Sequence, residues 1–167
     1  MKNIKLVNGG HVVVDRSEYG HLNKFKWRVD KRGYVVRQDR LRKSKTPFFT
    51  MHRQIMGFPD GLLVDHINQD KLDNRIKNLR VCLKMENSQN RLGWCGKTTS
   101  QYKGVFLDKR AQKMGYLKTW QASIGYNRRR ISLGIYKTSK EAALAYNKAA
   151  RKYHGEFALL NDLSLSK

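Results

Sequence analysis

Short alternating runs of apolar and polar residues cover most of the chain, and they predict strands rather than long helices. At the start, "IKLVNGGHVVVD" predicts a hairpin, because Asn8, Gly9 and Gly10 can supply the positive φ angles of its turn. Next, "SEYGHLNKFKW" predicts a short helix or turn, and "WRVDKRGYVVRQDR" a second hairpin. "PFFTMHRQIMGF" predicts a strand that continues into a short helix. Residues 63–92 then predict a β–loop–β–α unit, so the first part of the chain is expected to be β-rich.

The pattern changes after residues 93–101, "GWCGKTTSQ", which are interpreted as a linker. Three strands are expected in "YKGVFLDK", "KTWQASIGY" and "RRRISLGIY". The second alternates apolar and polar side chains, as a sheet with one buried face requires. A helix follows between a Thr138–Glu141 capping box and Gly155. The predicted fold class is therefore α+β, with domains at 1–92 and 102–161, the second a three-stranded antiparallel sheet packed on one helix.

The charge of the chain limits its partners. Its 167 residues carry 35 Lys and Arg against 13 Asp and Glu, a net charge of +22, which favours polyanions such as nucleic acid or an anionic membrane surface. No run approaches about 18 consecutive apolar residues, so the membrane is the weaker choice. Residues 1–96 hold 20 basic and 9 acidic side chains and residues 97–167 hold 15 and 4, which is +11 each. Both halves are therefore expected to present phosphate-binding surfaces.

An adjacent acid and histidine, Asp65 and His66, end an apolar run and suggest phosphodiester chemistry. A nuclease must activate water and stabilise charge on the phosphate, and a divalent cation can do the second. Mg²⁺ uses hard oxygen ligands and keeps several waters, whereas a neutral imidazole can take a proton from water. Asn87, on the expected helix, offers a further oxygen. The plainer alternative is a hydrogen-bonded polar turn.

The pattern "VDHIN…LDNR…NLR…EN" resembles the HNH endonucleases, most closely the homing-type enzymes of phages and mobile introns. The resemblance implies a ββα finger at about 62–92 that holds one metal ion. It implies that Asp65 and Asn87 are metal ligands, that His66 is the general base, and that Asn78 holds the loop and so orients the histidine. The implied cofactor is Mg²⁺, with Mn²⁺ able to substitute.

Residues 102–161 resemble the plant ethylene-response-factor (ERF, APETALA-type) DNA-binding domain. The resemblance implies that the sheet lies in the major groove with the helix behind it. The DNA-facing residues it implies are Lys103, Phe106, Thr119, Gln121, Ser123, Arg128, Arg130 and Ser132. The packing residues it implies are Tyr102, Val105, Trp120, Ala122, Ile124, Leu133 and Tyr136. Several of the plant Arg and Trp positions are replaced here, so the base sequence read must differ. The alternative to DNA contact for the "RRR" at 128–130 is a hairpin turn exposed to solvent.

These features together predict a site-selective DNA endonuclease. The expected partner is double-stranded DNA, with no membrane and no small-molecule substrate, for a monomer in the cytoplasm of a phage-infected or bacterial host cell. One alternative is a DNA-binding regulator that does not cleave. Another is an RNA-binding protein, although the sequence shows no ladder of aromatic residues of the kind that single-strand binding uses.

Overall fold

The computed structural model describes residues 1–38, 48–90 and 99–164. The chain divides into two compact units, Met1–Asn87 and Ser88–Lys167. Across the described ranges it is a mixed α and β protein with four small antiparallel sheets and five α-helices. Most of the predicted linker, residues 93–98, lies outside the described residues. None of the described helices is both long enough and apolar enough to cross a bilayer.

The first unit follows the order expected from the sequence, with short strands joined by three short helices. Two paired strands come first, then a three-stranded sheet in the order β3-β4-β5, then a second pair. The elements are β1 (Lys2–Lys5), β2 (His11–Val14), α1 (Arg16–Leu22), β3 (Arg28–Val29), β4 (Val35–Gln38), β5 (Phe48–Thr50), α2 (Met51–Ile55), β6 (Leu63–His66), a 3₁₀ turn (Ile76–Asn78), β7 (Leu79–Cys82) and α3 (Lys84–Gln89).

The first hairpin forms as predicted, but one turn residue has a different role. Gly9 and Gly10 adopt φ angles of 94° and 77°, a region that glycine reaches without steric cost. Asn8 was expected to share that conformation, and it does not. Its side chain instead donates to the Val29 carbonyl oxygen at 3.1 Å and accepts from the Val29 N–H at 3.0 Å, which ties the turn to β3.

Trp27 is at the centre of the first unit's core. Its side chain is fully buried, and its indole N–H donates to the Leu22 carbonyl oxygen at 2.8 Å. The rest of this core comes from β1, β2, α1, β4 and α2, which contribute Ile4, Leu6, Val12, Val14, Leu22, Val35 and Met51. Because Met51 is fully buried there, the start of α2 is fixed, and so is the histidine that follows it.

In the second unit, three antiparallel strands in the order β10-β9-β8 pack against one long helix, as predicted. The elements are β8 (Val105–Leu107), α4 (Lys109–Lys113), β9 (Trp120–Tyr126), β10 (Arg129–Tyr136) and α5 (Ser139–His154). The short helix α4 was not predicted. Asp108 caps it, because its side-chain oxygen accepts from the N–H groups of Arg110 at 3.0 Å and Ala111 at 3.1 Å.

The packing face of this sheet agrees with the sequence prediction. Four of the predicted packing residues are buried, namely Tyr102, Val105, Ala122 and Ile124, and the other three are partly buried against the same cores. The helix begins as expected, since the Glu141 N–H donates to Thr138 Oγ1 at 3.1 Å. The return bond of the capping box differs: the Glu141 carboxylate accepts from the Lys137 N–H at 3.1 Å rather than from Thr138.

Candidate functional site

The candidate site is built on the β6–β7 hairpin. In its register Asp65 is opposite Arg80 and His66 is opposite Leu79, so the acid and the histidine occupy consecutive positions at the end of β6. Side chains alternate between the two faces of a strand, which directs these two groups to opposite sides. Helix α3 follows β7 directly, so the described chain has the predicted order of two strands and a helix.

Asn78 holds together the loop that joins the two strands. Its side chain is nearly buried, and its Nδ2 donates to the Asp73 carbonyl oxygen at 2.7 Å. Its Oδ1 accepts from the Asn68 N–H at 3.0 Å, while its carbonyl oxygen accepts from the Ile67 N–H at 2.9 Å. Three bonds from one residue therefore close the loop immediately beyond His66.

The same loop is attached to the N-terminal hairpin. The Val13 N–H donates to the Leu72 carbonyl oxygen, and the Asn74 N–H donates to the Val13 carbonyl oxygen, each at 2.8 Å. The Ile76 N–H donates to Asp15 Oδ2 at 2.7 Å. Strand β2 and the residue after it thus fix the path of the loop from a distant part of the sequence.

His66 is only 4% exposed, and Asn74 fixes its orientation. Asn74 Nδ2 donates to the Lys71 carbonyl oxygen at 2.9 Å, which points Asn74 Oδ1 toward the imidazole, 3.4 Å from Nε2. An amide oxygen can only accept, so the contact favours the tautomer with its proton on Nε2. In that tautomer Nδ1 carries the lone pair that can take a proton. The sequence analysis did not single out Asn74, although it lies in the quoted "LDNR".

Two further rings pack beside His66. The His52 ring centroid lies 5.1 Å from that of His66, and Tyr34 lies 5.1 Å from His52 and 6.2 Å from His66. Burial, together with the proximity of His66, lowers the pKa of His52 to about 3. Burial also lowers the pKa of His66 below its ordinary value. Both imidazoles are therefore neutral at pH 7, the form in which His66 can accept a proton.

Acid should destabilise the first unit through His52. The unfolded chain binds a proton there below about pH 6.5, while the folded chain resists it down to about pH 3. Stability is therefore lost as the pH falls through this window, by up to about 1.4 kcal/mol per pH unit. Urea unfolding between pH 7 and 4.5 measures this, and His52→Phe should reduce the slope. Equal slopes for both proteins would contradict the assignment.

Asp65 is paired with the strand opposite. Arg80 Nη2 lies 3.0 Å from Asp65 Oδ2, and Arg80 Nε lies 3.3 Å from the same oxygen. The Arg80 side chain is 11% exposed and the Asp65 side chain is 12% exposed. This pair was not foreseen in the sequence, although Arg80 belongs to the quoted "NLR". An ion pair of this kind compensates the carboxylate charge, so any cation that binds Asp65 must compete with Arg80.

Asn87, the other expected oxygen ligand, lies half-buried on α3. The Cys82 thiol interacts with both segments that carry the expected ligands. Burial and the charge of Asp65 raise the pKa of Cys82 to about 11, and the backbone of Asn87 hydrogen-bonds to the thiol. Glu86, from the quoted "EN", has a structural role, because its carboxylate accepts from the Leu83 N–H at 2.7 Å before α3. In the described part of the chain no three His, Cys, Asp or Glu side chains group as a metal site. A carboxylate and an amide oxygen suit Mg²⁺, which keeps several waters.

Most of the residues expected to face DNA share one face of the second sheet. Phe106 is opposite Gln121, and Ser123 is opposite Ser132, so these four side chains point the same way, with Arg130 two positions before Ser132. Arg130 Nε donates to Ser123 Oγ at 2.9 Å, and its guanidinium lies 5.0 Å from the Phe106 ring centroid. Ser123, expected on the outer face, is therefore nearly buried, and Arg130 contributes to that burial.

The other three residues expected to contact DNA, Lys103, Thr119 and Arg128, do not belong to this group of five side chains on the sheet face. Lys103 Nζ donates to the Gln89 carbonyl oxygen at 2.6 Å, and burial lowers the pKa of Lys103 to about 8. Thr119 precedes β9, with its N–H bonded to the Tyr136 carbonyl oxygen. Arg128 is exposed in the β9–β10 turn, where Asn127 and Arg128 have φ angles of 48° and 61°. The structure thus places Arg128 in the turn and Arg129 and Arg130 in β10.

A neutral histidine beside a carboxylate, on a chain of net charge +22, favours a protein that acts on nucleic acid. The HNH endonuclease family model matches residues 52–89, from α2 to α3. An uncharacterized HNH endonuclease of Acanthamoeba polyphaga mimivirus is 31% identical over 156 residues, which covers 93% of this chain and 76% of the relative. The chain belongs to the HNH endonuclease family. No solved structure matches it significantly. The resemblance of residues 102–161 to the ERF domain stays a prediction.

Proposed function

We propose that this chain is a site-selective DNA endonuclease that hydrolyses phosphodiester bonds by a single-metal HNH mechanism, with the second sheet as an ERF-type targeting domain. The observation that carries the proposal is the neutral, buried His66 beside Asp65. The proposed substrate is double-stranded DNA, bound by a monomer in a phage-infected or bacterial host cell, in the manner of a homing endonuclease. The experiment that tests it is cleavage of supercoiled plasmid with Mg²⁺ or with EDTA.

In this proposal His66 accepts the proton of the attacking water at Nδ1. The contact from Asn74 Oδ1 holds the other ring nitrogen, and His52 packs against the imidazole. Asn78 keeps the loop closed, so the ring does not have to be ordered at the moment of reaction. Removing any of these supports is expected to lower the rate more than it lowers DNA affinity.

Asp65 and Asn87 would hold the Mg²⁺ of this proposal, with Mn²⁺ able to substitute. When bound, the cation would supply Lewis-acid stabilisation of the charge that develops on the phosphate and the leaving oxygen. Arg80 shares the Asp65 carboxylate in this structure, and it must release at least part of that contact when a cation binds. A released guanidinium is well suited to a phosphate oxygen.

Metal affinity should respond in opposite directions to changes in the two members of this pair. Asp65→Ala should abolish Mn²⁺ binding at the site, because it removes the only charged ligand of the proposal. Arg80→Gln should strengthen binding at least about fivefold, since even an exposed ion pair can be worth roughly 1 kcal/mol and this one is little exposed. Titration of Mn²⁺ followed by its paramagnetic resonance signal measures both, with Asp60→Ala, an exposed acid of the same unit, as the control. Unchanged affinity for Asp65→Ala would reject Asp65 as a ligand.

DNA affinity should depend on the exposed face of the second sheet and not on its helix. If Arg130 contacts a base, Arg130→Ala is expected to weaken binding by roughly 1–3 kcal/mol, and only for DNA with that base. If Arg130 contacts a phosphate, binding should weaken for every DNA sequence, and the slope of log affinity against log salt concentration should become shallower by about 1. Arg151→Ala removes the same charge from an exposed position on α5 and serves as the control. Binding measured against salt distinguishes the cases. Equal losses for both variants would mean that only net charge matters.

A further inference from the structure

Three phenylalanine rings and one guanidinium form a cluster on the surface of the first unit. The Arg37 guanidinium lies 4.2 Å from the ring centroid of Phe25 and 4.5 Å from that of Phe49, and Phe58 lies 5.0 Å from Phe49. Phe25 and Phe58 are 40% and 38% exposed. We call Phe25, Arg37, Phe49 and Phe58 the Arg37 aromatic surface. Large aromatic side chains are normally buried, so their shared exposure calls for a reason.

The cluster is held in place by several interactions rather than by chance proximity. Arg37 and Phe49 are directly opposite each other in the β4–β5 register, and Arg37 Nε donates to Gln54 Oε1 at 2.8 Å. Phe58 has a φ angle of 52°, an uncommon conformation for a bulky residue, and its N–H donates to the Arg53 carbonyl oxygen at 2.8 Å. Such strain persists only where the surroundings impose it, and it often marks a functional surface.

The chemistry of the surface selects the kind of partner. A planar guanidinium among aromatic faces attracts a partner that is both anionic and flat, and it disfavours an apolar protein surface, which would leave the charge unpaired. Lys24 and Lys26 flank Phe25 and are exposed, which adds positive charge beside the rings. Nucleic-acid bases joined by phosphates meet both requirements, provided that the base faces are not already stacked within a duplex.

Helix α2 connects this surface to His66. Its His52 packs against the His66 ring, and its Gln54, two residues later, holds Arg37. Residues two apart on a helix lie about 200° apart around its axis, so the His52 and Gln54 side chains leave α2 on opposite sides. Phe49 precedes the helix and Phe58 follows it, so the surface and the catalytic histidine are fixed by the same few residues.

We propose that the Arg37 aromatic surface binds unstacked bases of single-stranded or locally opened DNA, on the opposite side of α2 from the phosphodiester that His66 attacks. Only the position relative to the cleaved bond rests on the proposed nuclease function. Binding of unstacked bases is a separate property, and it requires neither metal nor cleavage. The enzyme would then favour DNA that is opened or distorted near its cleavage site over a fully paired duplex.

Binding of the full chain to three fluorescein-labelled DNAs in EDTA tests this: a single strand, a duplex with a central unpaired bubble, and the fully paired duplex. Loss of an aromatic stacking partner costs about fivefold to a hundredfold in affinity. We expect Phe25→Ala/Phe58→Ala to lose that factor on the single strand and the bubble, and less than about twofold on the paired duplex. Equal losses on all three DNAs, or no loss, would overturn the proposal.

Phe48 provides the matched control. It precedes Phe49 on β5, is 39% exposed and, by strand alternation, points to the other face of the sheet. The Arg28 guanidinium lies 4.9 Å from its ring centroid, so Phe48 also pairs a ring with a charge but lacks the further rings of the Arg37 aromatic surface. Phe48→Ala should leave the binding of all three DNAs unchanged. If the double variant fails to fold, Phe58→Trp and Phe48→Trp replace it. Fluorescence of the new indole should be quenched by the single strand at position 58 and not at position 48, and the reverse pattern would overturn the proposal.

The DNA-binding experiment and the plasmid-cleavage assay can fail independently, so they test the surface and the proposed enzyme separately. A chain that binds opened DNA through Phe25 and Phe58 yet leaves plasmid intact with Mg²⁺ would support the surface and reject the proposed enzyme. A chain that cuts plasmid, while the double variant binds all three DNAs like the wild type, would reject the surface alone. In that second case, a protein partner would be the remaining explanation for the exposed rings.

Discussion

His66→Ala is expected to abolish the cleavage of supercoiled plasmid with Mg²⁺, with a loss between about a hundredfold and ten-thousandfold. The reason is that the neutral imidazole at the end of β6 is the group we assign to take the proton from water, and alanine offers no base. DNA affinity should stay within about twofold, because affinity comes mainly from basic surface. The measurements are nicking rates on plasmid and anisotropy with labelled duplex.

The control for this result is His21→Ala, which removes an exposed histidine from α1. It should cut at the wild-type rate. Asn74→Ala should fall between the two, since it leaves the base in place but removes the contact to Nε2. Wild-type rates for His66→Ala would reject the assigned base. Tight binding without any cleavage by the wild-type chain would support a regulator that does not cleave.

Gly104→Ala is expected to destabilise the second unit by about 2–4 kcal/mol, the sum of an overpacked core and a left-handed backbone. Gly104 has a φ angle of 73°, and a Cβ there would overlap the ring of Tyr146 and lie 2.6 Å from the Ser123 carbonyl oxygen. Tyr146 is only 2% exposed, so its ring has little room to move. Thermal and urea unfolding measure the loss.

Gly115→Ala separates the two causes. Gly115 has nearly the same φ, 75°, but nothing lies within 4 Å of the position its Cβ would take. It should therefore show only the smaller backbone cost, about 1 kcal/mol. Equal losses for the two variants would show that the close approach of α5 to β8 contributes nothing. If the second unit targets DNA as proposed, Gly104→Ala should lose site selectivity on a long DNA before it loses nicking, since His66 belongs to the other unit.

The elements around His66 could be predicted because their signals are local. An apolar run ending in "DH", a polar loop and "LRVCLK" spell a hairpin in adjacent sequence, and the structure forms it. The partners of His66 had no such signal. His52 reaches it through the placement of α2 on a core that includes Met51, and Asn74 through bonds to β2. Helix α4 was missed because its five residues, "KRAQK", contain no large apolar side chain, whereas the equally short α2 has Met51 and Ile55 four positions apart.

The sequence shows no ladder of aromatic residues, yet the folded first unit has a cluster of aromatic side chains at its surface. Positions 25, 37, 49 and 58 share no spacing that a strand or a helix would produce. They come together only because β4 pairs with β5 in one particular register and because Gln54 holds the guanidinium from α2. Strand register and long-range hydrogen bonds depend on the whole unit, so no window of sequence could show this cluster.

The bonds from β2 to the loop beyond His66 limit how far the β6–β7 hairpin can be moved into another protein. The match to the family model begins at residue 52, yet the amide and carbonyl groups that fix the loop belong to Val13, and another acceptor belongs to Asp15. A graft of that span alone onto a new scaffold would carry His66, the proposed base, without the strand that fixes the loop beside it. Any chimaera that retains the chemistry has to inherit the opening hairpin, or an equivalent strand that offers the same two peptide groups.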